Sequence, residues 1–91
     1  MTKTIWKKQL KKYKMKINLL FFGQVADITG KTAWKISGVK NTADLNQRLA
    51  ENFPSLQSIK YSIAVNKKVV QENTELNNED TVAILPPFSG G

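Results

Sequence analysis

The sequence predicts an α+β fold in which one main helix packs across a mixed β-sheet. Its two most apolar segments, KINLLFFG (16–23) and TVAILPP (81–87), lie near opposite ends of the chain and are typical of central strands. The region between them contains one amphipathic segment of helical period, NTADLNQRLAENF (41–53). A chain of 91 residues has the length of a single domain.

Residues 16–37 predict a strand, a short helix and a second strand. Residues 16–23 are expected to form a strand that is buried on both faces. Gln24–Thr29 predicts one or two helical turns closed by Gly30, because glycine readily adopts the left-handed conformation that ends many helices. Thr32–Ser37 alternates as a half-exposed strand does, and we expect Trp34 on its apolar face to be a core residue rather than a ligand-binding one.

The segment 41–53 is the main helix. Asn41 or Thr42 can cap its amino end, and Pro54 prevents it from continuing. The side of the helix that should face the sheet consists of apolar residues that recur every four positions: Leu45, Leu49 and Phe53.

The second half of the chain predicts a hairpin and a final strand. Ser62–Asn66 and Lys68–Val70 form the hairpin, and Asn77–Asp80 is a turn that leads into the strand at 81–87. Because the first and last strands are the most hydrophobic, we expect them to lie adjacent and parallel at the sheet centre. One helix across a mixed sheet of four to five strands is the β-grasp, or ubiquitin-like, arrangement.

Composition excludes several classes of chemistry. The sequence has no cysteine and no histidine, which excludes disulfides, thiolate nucleophiles, cysteine-based metal sites and histidine acid–base catalysis. No run of apolar residues exceeds four, and no secretory signal pattern occurs at the amino terminus. We therefore expect a soluble cytoplasmic protein.

Charge divides the chain into a basic extension, residues 1–14, and a body, residues 15–91. The extension holds six lysines and no acidic residue, whereas the body has eight basic and seven acidic side chains. If the extension forms a helix, its apolar residues lie on one side of that helix. This pattern is typical of a basic amphipathic helix that binds an anionic membrane or nucleic acid. The alternatives are a disordered extension or an artefact of an upstream start site, since Met15 is a natural beginning for the body.

The tail PPFSGG (86–91) is the most informative stretch. Pro86 and Pro87 favour an extended backbone, and six extended residues reach about 20 Å, enough to enter the active site of another protein. Gly90 and Gly91 carry no Cβ, so a narrow channel can close around them. The reactive group would be the terminal carboxylate of Gly91, which can be activated as an acyl-adenylate and converted to a thiocarboxylate. The alternative is an inert, frayed end.

Three stretches of sequence carry a resemblance to a known family. LFFGQVADITG (20–30), AVNKKVVQENTELNNEDTVAILPP (64–87) and PPFSGG (86–91) together resemble the small, MoaD-type subunit of molybdopterin synthase, within the MoaD/ThiS sulfur carriers. The resemblance runs from Met15 to Gly91 and implies a β-grasp sulfur-carrier domain over residues 15–91 with a flexible Gly-Gly tail. It implies a role in molybdenum cofactor biosynthesis as the non-catalytic, sulfur-donating subunit of a heterotetrameric sulfurtransferase.

The resemblance also implies partners and site residues. An adenylyltransferase would use ATP to activate Gly91, and the thiocarboxylate would deliver sulfur to a pterin precursor in the active site of the large subunit. No cofactor or metal is expected to be bound, no nucleic acid partner is expected, and membrane contact would involve residues 1–14 alone. The residues that would contact partners are Phe22, Val69 and Leu85 on an apolar surface, and Pro86, Pro87, Phe88, Ser89 and Gly90 in the inserted tail.

The apolar surface has a structural alternative, in which Phe22, Val69 and Leu85 are core residues. Strand alternation places Leu20 with Phe22, and Ala83 with Leu85, on common faces. Because the helix covers only one face of the sheet, we expect some of these side chains to be exposed. Alternative functions are a thiamine-type sulfur carrier, a ubiquitin-like modifier, or a binding module that uses the lysine-rich extension.

Overall fold

A computed structural model describes residues 15–87 of the chain. The predictions for the basic extension, residues 1–14, and for Phe88, Ser89, Gly90 and Gly91 lie outside the described residues. Among the residues described, no helix is both long and apolar enough to cross a lipid bilayer.

The structure confirms the predicted α+β fold, with a five-stranded mixed sheet and its helices on one face. The spatial order of the strands is β2-β1-β5-β3-β4, with β1 and β5 parallel and every other pair antiparallel. The first and last strands are therefore adjacent and parallel, as predicted, and β5 is the central strand. The strands are β1 Lys16–Phe21, β2 Ala33–Ser37, β3 Ser62–Val65, β4 Lys68–Val70 and β5 Thr81–Leu85.

The prediction that β1 is buried on both faces is wrong. Ile17, Leu19 and Phe21 are at most 2% exposed, whereas Asn18 and Leu20, which alternate with them, are only half-buried. The physical reason is that the helices cover one face of the sheet and leave the opposite, outer face open. An interior strand of such a sheet alternates between buried and accessible side chains.

Two α-helices and a 3-10 helix cover the inner face. Helix α1 spans Gly23–Thr29 and ends at Gly30 in the left-handed conformation, as predicted, and helix α2 spans Thr42–Asn52. The side chain of Asn41 caps α2 by accepting a hydrogen bond from the backbone N–H of Asp44 at 2.8 Å.

The core lies between α2 and the sheet. Leu45 and Leu49 are fully buried, and Phe53 packs edge-on against Trp34 with ring centroids 5.3 Å apart, so Trp34 is half-buried against the core as predicted. The sequence did not predict the 3-10 helix Pro54–Ser58, whose Leu56 is completely buried.

A network of hydrogen bonds fixes the start of β5 between its two neighbours. The carboxylate of Asp80 accepts hydrogen bonds from the side-chain amide of Asn66 at 2.9 Å and from the backbone N–H of Asn77 at 2.8 Å. Asn66 also accepts a hydrogen bond from the N–H of Thr81, and the N–H of Asn18 in β1 donates to the carbonyl of Asp80. These bonds tie β1, β5 and the β3–β4 hairpin together and set the register of β5.

We predict that Asp80→Ala lowers the free energy of unfolding by about 1–2 kcal/mol, because it removes both acceptors and leaves Asn66 and Asn77 without them. Urea denaturation measures this change. Asp27→Ala, at an exposed carboxylate on α1, is the control and should change stability by less than about 0.5 kcal/mol. Equal effects of the two substitutions would contradict the assigned role of the network.

Candidate functional site

The predicted tail leaves the domain at the carboxyl end of the central strand. β5 ends at Leu85, Pro86 is half-buried against the domain, and Pro87 is exposed. Since proline has no N–H to donate to a sheet, the two prolines end the strand here. The remaining tail residues lie outside the described residues, and their roles stay predictions.

The neighbouring end of β1 holds this exit. Phe22 continues the extended backbone of β1, with φ −121° and ψ 151°, and its N–H donates to the carbonyl of Ile84 at 3.3 Å. Gly23 follows with a positive φ of +52°, which turns the chain into α1 directly beside Pro86. The tail therefore begins in a small corner formed by the ends of β1 and β5 and the start of α1.

An apolar row crosses the outer face of the sheet on all five strands. Register pairs Leu20 with Ala33 on one side and Ala83 on the other, pairs Ala83 with Ala64, and pairs Ala64 with Val69. Phe22 and Leu85 lie one step further towards the tail exit on the same face. We call these seven residues the outer apolar surface: Leu20, Phe22, Ala33, Ala64, Val69, Ala83 and Leu85. Ala64 is buried between its neighbours in this row, at 5% exposed.

The outer face changes character at its far end. The row that contains Asn18 pairs it with Lys35 on β2 and Thr81 on β5, and all three side chains are polar. The apolar half of the face is therefore the half that adjoins the tail exit. A partner that binds this half by its apolar side chains would be placed next to Pro86 and the residues that follow it.

The three predicted surface residues are not core residues. Phe22 is 45% exposed, Val69 is 55% exposed, and Leu85 is half-buried. The alternative in which all three are core residues is therefore contradicted. Their role in docking stays a prediction.

Sequence reasoning missed part of the outer apolar surface. It grouped Leu20 with Phe22 and Ala83 with Leu85, but it did not include Ala33 or Ala64, which complete the row. Alternation within each strand could have assigned their faces, whereas their alignment across the sheet depends on the strand register.

A concave region adjoins the β3–β4 hairpin, and Val69 of the outer apolar surface is among the residues that line it. It is a groove of about 380 Å³ between β4 and the start of α2, and Tyr61 is one of its lining residues. The Tyr61 hydroxyl donates a hydrogen bond to Asn46 Oδ1 at 2.8 Å, and burial raises the pKa of this phenol above its usual value of 10.0. Tyr61 is therefore a neutral hydrogen-bond donor at physiological pH.

Carboxylates are the only side chains of the body that could hold a divalent metal firmly, since histidine and cysteine are absent. Between Met15 and Pro87 no three acidic side chains come close enough together to do so.

Comparison with known proteins assigns the chain to a family. The model of the ThiS family matches residues 19–91, which includes the outer apolar surface and the whole tail. The chain belongs to the ThiS family. The resemblance to the MoaD/ThiS sulfur carriers, drawn from the sequence motifs, is confirmed.

Curated relatives and solved structures agree with this assignment. The molybdopterin synthase sulfur carrier subunit of Chlamydomonas reinhardtii is 30% identical over 83 residues, a match that covers 85% of this chain and all of that protein. A chain of the complex between subunits 1 and 2 of the molybdopterin-converting factor from Helicobacter pylori superposes with a TM-score of 0.65. It is 25% identical, and the match covers 85% of this chain and all of that one.

The fold is also shared with a small archaeal modifier. The small archaeal modifier protein 1 from Methanosarcina acetivorans superposes with a TM-score of 0.73 at 20% identity, covering 87% of this chain and 99% of that one. The sheet order and this superposition identify the domain as a ubiquitin-like β-grasp, as predicted.

Proposed function

We propose that this ThiS-family protein is a sulfur carrier that acts as the small subunit of a molybdopterin synthase. The family assignment and the curated relative from Chlamydomonas reinhardtii, which bears that name, support the sulfur-carrier role. The Helicobacter pylori structure, a complex of subunits 1 and 2, supports a large catalytic subunit as the partner.

The sulfur would be carried by the backbone rather than by a side chain. An activating enzyme uses ATP to convert the Gly91 carboxylate into an acyl-adenylate, which is an electrophile. Hydrosulfide supplied by a sulfur donor then attacks the acyl carbon, AMP leaves, and the product is a thiocarboxylate at Gly91. A chain without cysteine can carry sulfur in this form, and the family match extends through Gly91.

The observation that carries the proposal is the adjacency of the outer apolar surface and the tail exit. Phe22 and Leu85 flank the place where Pro86 leaves the sheet, so a large subunit that covers the surface would lie at the base of the tail. From there, residues 86–91 reach about 20 Å when extended. Docking and delivery would thus be two parts of one interface, with the pterin precursor bound in the large subunit.

Three other functions share some of these features. A thiamine-type carrier and a protein modifier would use the same activation of the terminal carboxylate. The relative from Chlamydomonas reinhardtii is named as a subunit of molybdopterin synthase, and this favours the proposed pathway. The likeness to the archaeal modifier concerns the fold alone. The binding-module alternative rests on residues 1–14, which lie outside the described residues, and stays untested.

We predict that the protein gains the mass of one sulfur atom in place of oxygen after incubation with the activating enzyme, ATP and a sulfur source. Intact-mass spectrometry measures this gain. Deleting Gly91, or adding one residue after it, should abolish the gain and all sulfur transfer, because the reactive carboxylate is then missing or displaced. The thermal unfolding midpoint should not change, since Gly91 follows the last strand by six residues. An unchanged mass gain in the variant without Gly91 would rule out the terminal carboxylate as the site.

We predict that Phe22→Ser and Val69→Ser each raise the Kd for the large subunit by about tenfold, because each removes an apolar side chain from the proposed interface. Calorimetric titration of the large subunit measures the Kd. Lys68→Ser is the matched control, since Lys68 is the exposed neighbour of Val69 on the same strand and points to the opposite face. If all three variants bind as the unsubstituted protein does, the interface lies elsewhere.

A further inference from the structure

The base of the tail makes one contact that neither the family assignment nor the proposed chemistry explains. Pro86 packs against Gly23, the first residue of α1, at the corner where the chain leaves the sheet. We propose that Gly23 is a positioning residue. Because it has no side chain, the Pro86 ring can pack directly against its backbone, and this contact sets the direction of the tail. This inference rests on the proposed function, because direction matters only if the tail delivers sulfur to a partner.

The contact between Gly23 and the Pro86 ring leaves no room for a side chain on Gly23. A Cβ built on Gly23 would lie 3.1 Å from Pro86 Cγ, 3.9 Å from Cδ and 4.0 Å from Cβ, so it would face the ring itself. A methyl group at 3.1 Å is too close for ordinary van der Waals contact, so the ring would have to move by a few tenths of an ångström. Gly23 also has a φ of +52°, which other residues adopt only at a cost.

A movement of the Pro86 ring is passed on to Pro87. Proline fixes its own φ, and Pro87 continues the extended geometry, so the first part of the tail behaves as a short stiff arm. A displaced Pro86 ring therefore changes the direction in which the chain leaves Pro87. Misplacement of a reacting group by about 1 Å can slow a reaction by up to about 100-fold.

Gly30 provides a matched comparison within the same helix. It ends α1 with a φ of +75°, and no atom lies within 4 Å of a Cβ built on it. Gly30→Ala therefore introduces a methyl group at positive φ without touching the tail. Gly23→Ala introduces the same group at positive φ against Pro86.

The test is a single-turnover measurement of sulfur transfer from the thiocarboxylated carrier to the pterin precursor on the large subunit. Gly30→Ala and Gly23→Ala should lower the unfolding midpoint by similar amounts, while only Gly23→Ala slows transfer, by about tenfold. Pro86→Ala removes the ring that the methyl group would strike. In that background Gly23→Ala should cause no further loss beyond about twofold, as expected for two groups that act through one contact.

Two results would overturn the assignment of Gly23. One is an equal rate of sulfur transfer in the Gly23→Ala and Gly30→Ala variants, which would show that the contact between Gly23 and Pro86 has no effect on delivery. The other is the same loss from Gly23→Ala with and without the Pro86 ring, which would place its effect on backbone strain alone.

A measurement without sulfur separates this inference from the proposed function. Phe88 contributes the first backbone amide after the two prolines, and its NMR signal reports the direction of the tail in the unloaded protein. Gly23→Ala should shift the amide signals of Phe88 and Ser89, and Gly30→Ala should leave them in place. If the unsubstituted protein accepts no sulfur, the proposed function fails, and this comparison alone then decides whether Gly23 positions the tail. Unchanged signals in Gly23→Ala would count against it.

Discussion

The parallel pairing of β1 with β5 is the constraint on which the rest of the structure depends. Parallel strands run in the same direction, so their carboxyl ends meet at one edge of the sheet. Here that edge brings Phe22 and Gly23 beside Leu85 and Pro86, although these pairs are more than sixty residues apart in sequence. This one pairing determines the positions of the tail exit and of the start of α1. It also places the part of the outer apolar surface that adjoins the tail.

The placement of the helices on a single face determines what the sheet can offer to a partner. The two α-helices and the 3-10 helix bury the inner face, whereas the opposite face keeps Phe22 and Val69 exposed and Leu85 half-buried. Three of the five residues in its apolar row are alanines, at positions 33, 64 and 83, so the row is low in relief. A low apolar surface suits contact with a second protein, whereas the small-molecule chemistry proposed for the complex needs a cavity that the partner would supply.

How much the sequence could predict depended on whether the signal was local. The alternation of apolar residues, the glycine after α1 and the asparagine before α2 act through neighbouring residues, and each element that they predicted is present. The 3-10 helix at Pro54–Ser58 was missed because only five residues form it and a single leucine packs inwards. Val39 and Leu76 are almost completely buried although they lie in connecting segments, where no periodic pattern marks a core residue. The candidate site was predictable at its tail, where the motif is continuous, but the row from Ala33 to Val69 required the register of all five strands.

The most direct test of this account is an NMR titration of the methyl-labelled protein with the large subunit. The outer face supplies methyl groups from Leu20, Val69 and Leu85, and α2 supplies buried reference methyl groups from Leu45 and Leu49. If surface and tail exit form one interface, the signals of Leu20, Val69 and Leu85 should shift together with the amide of Phe88, while those of Leu45 and Leu49 stay in place. Binding that moves the helix signals and leaves the outer face unchanged would contradict the account.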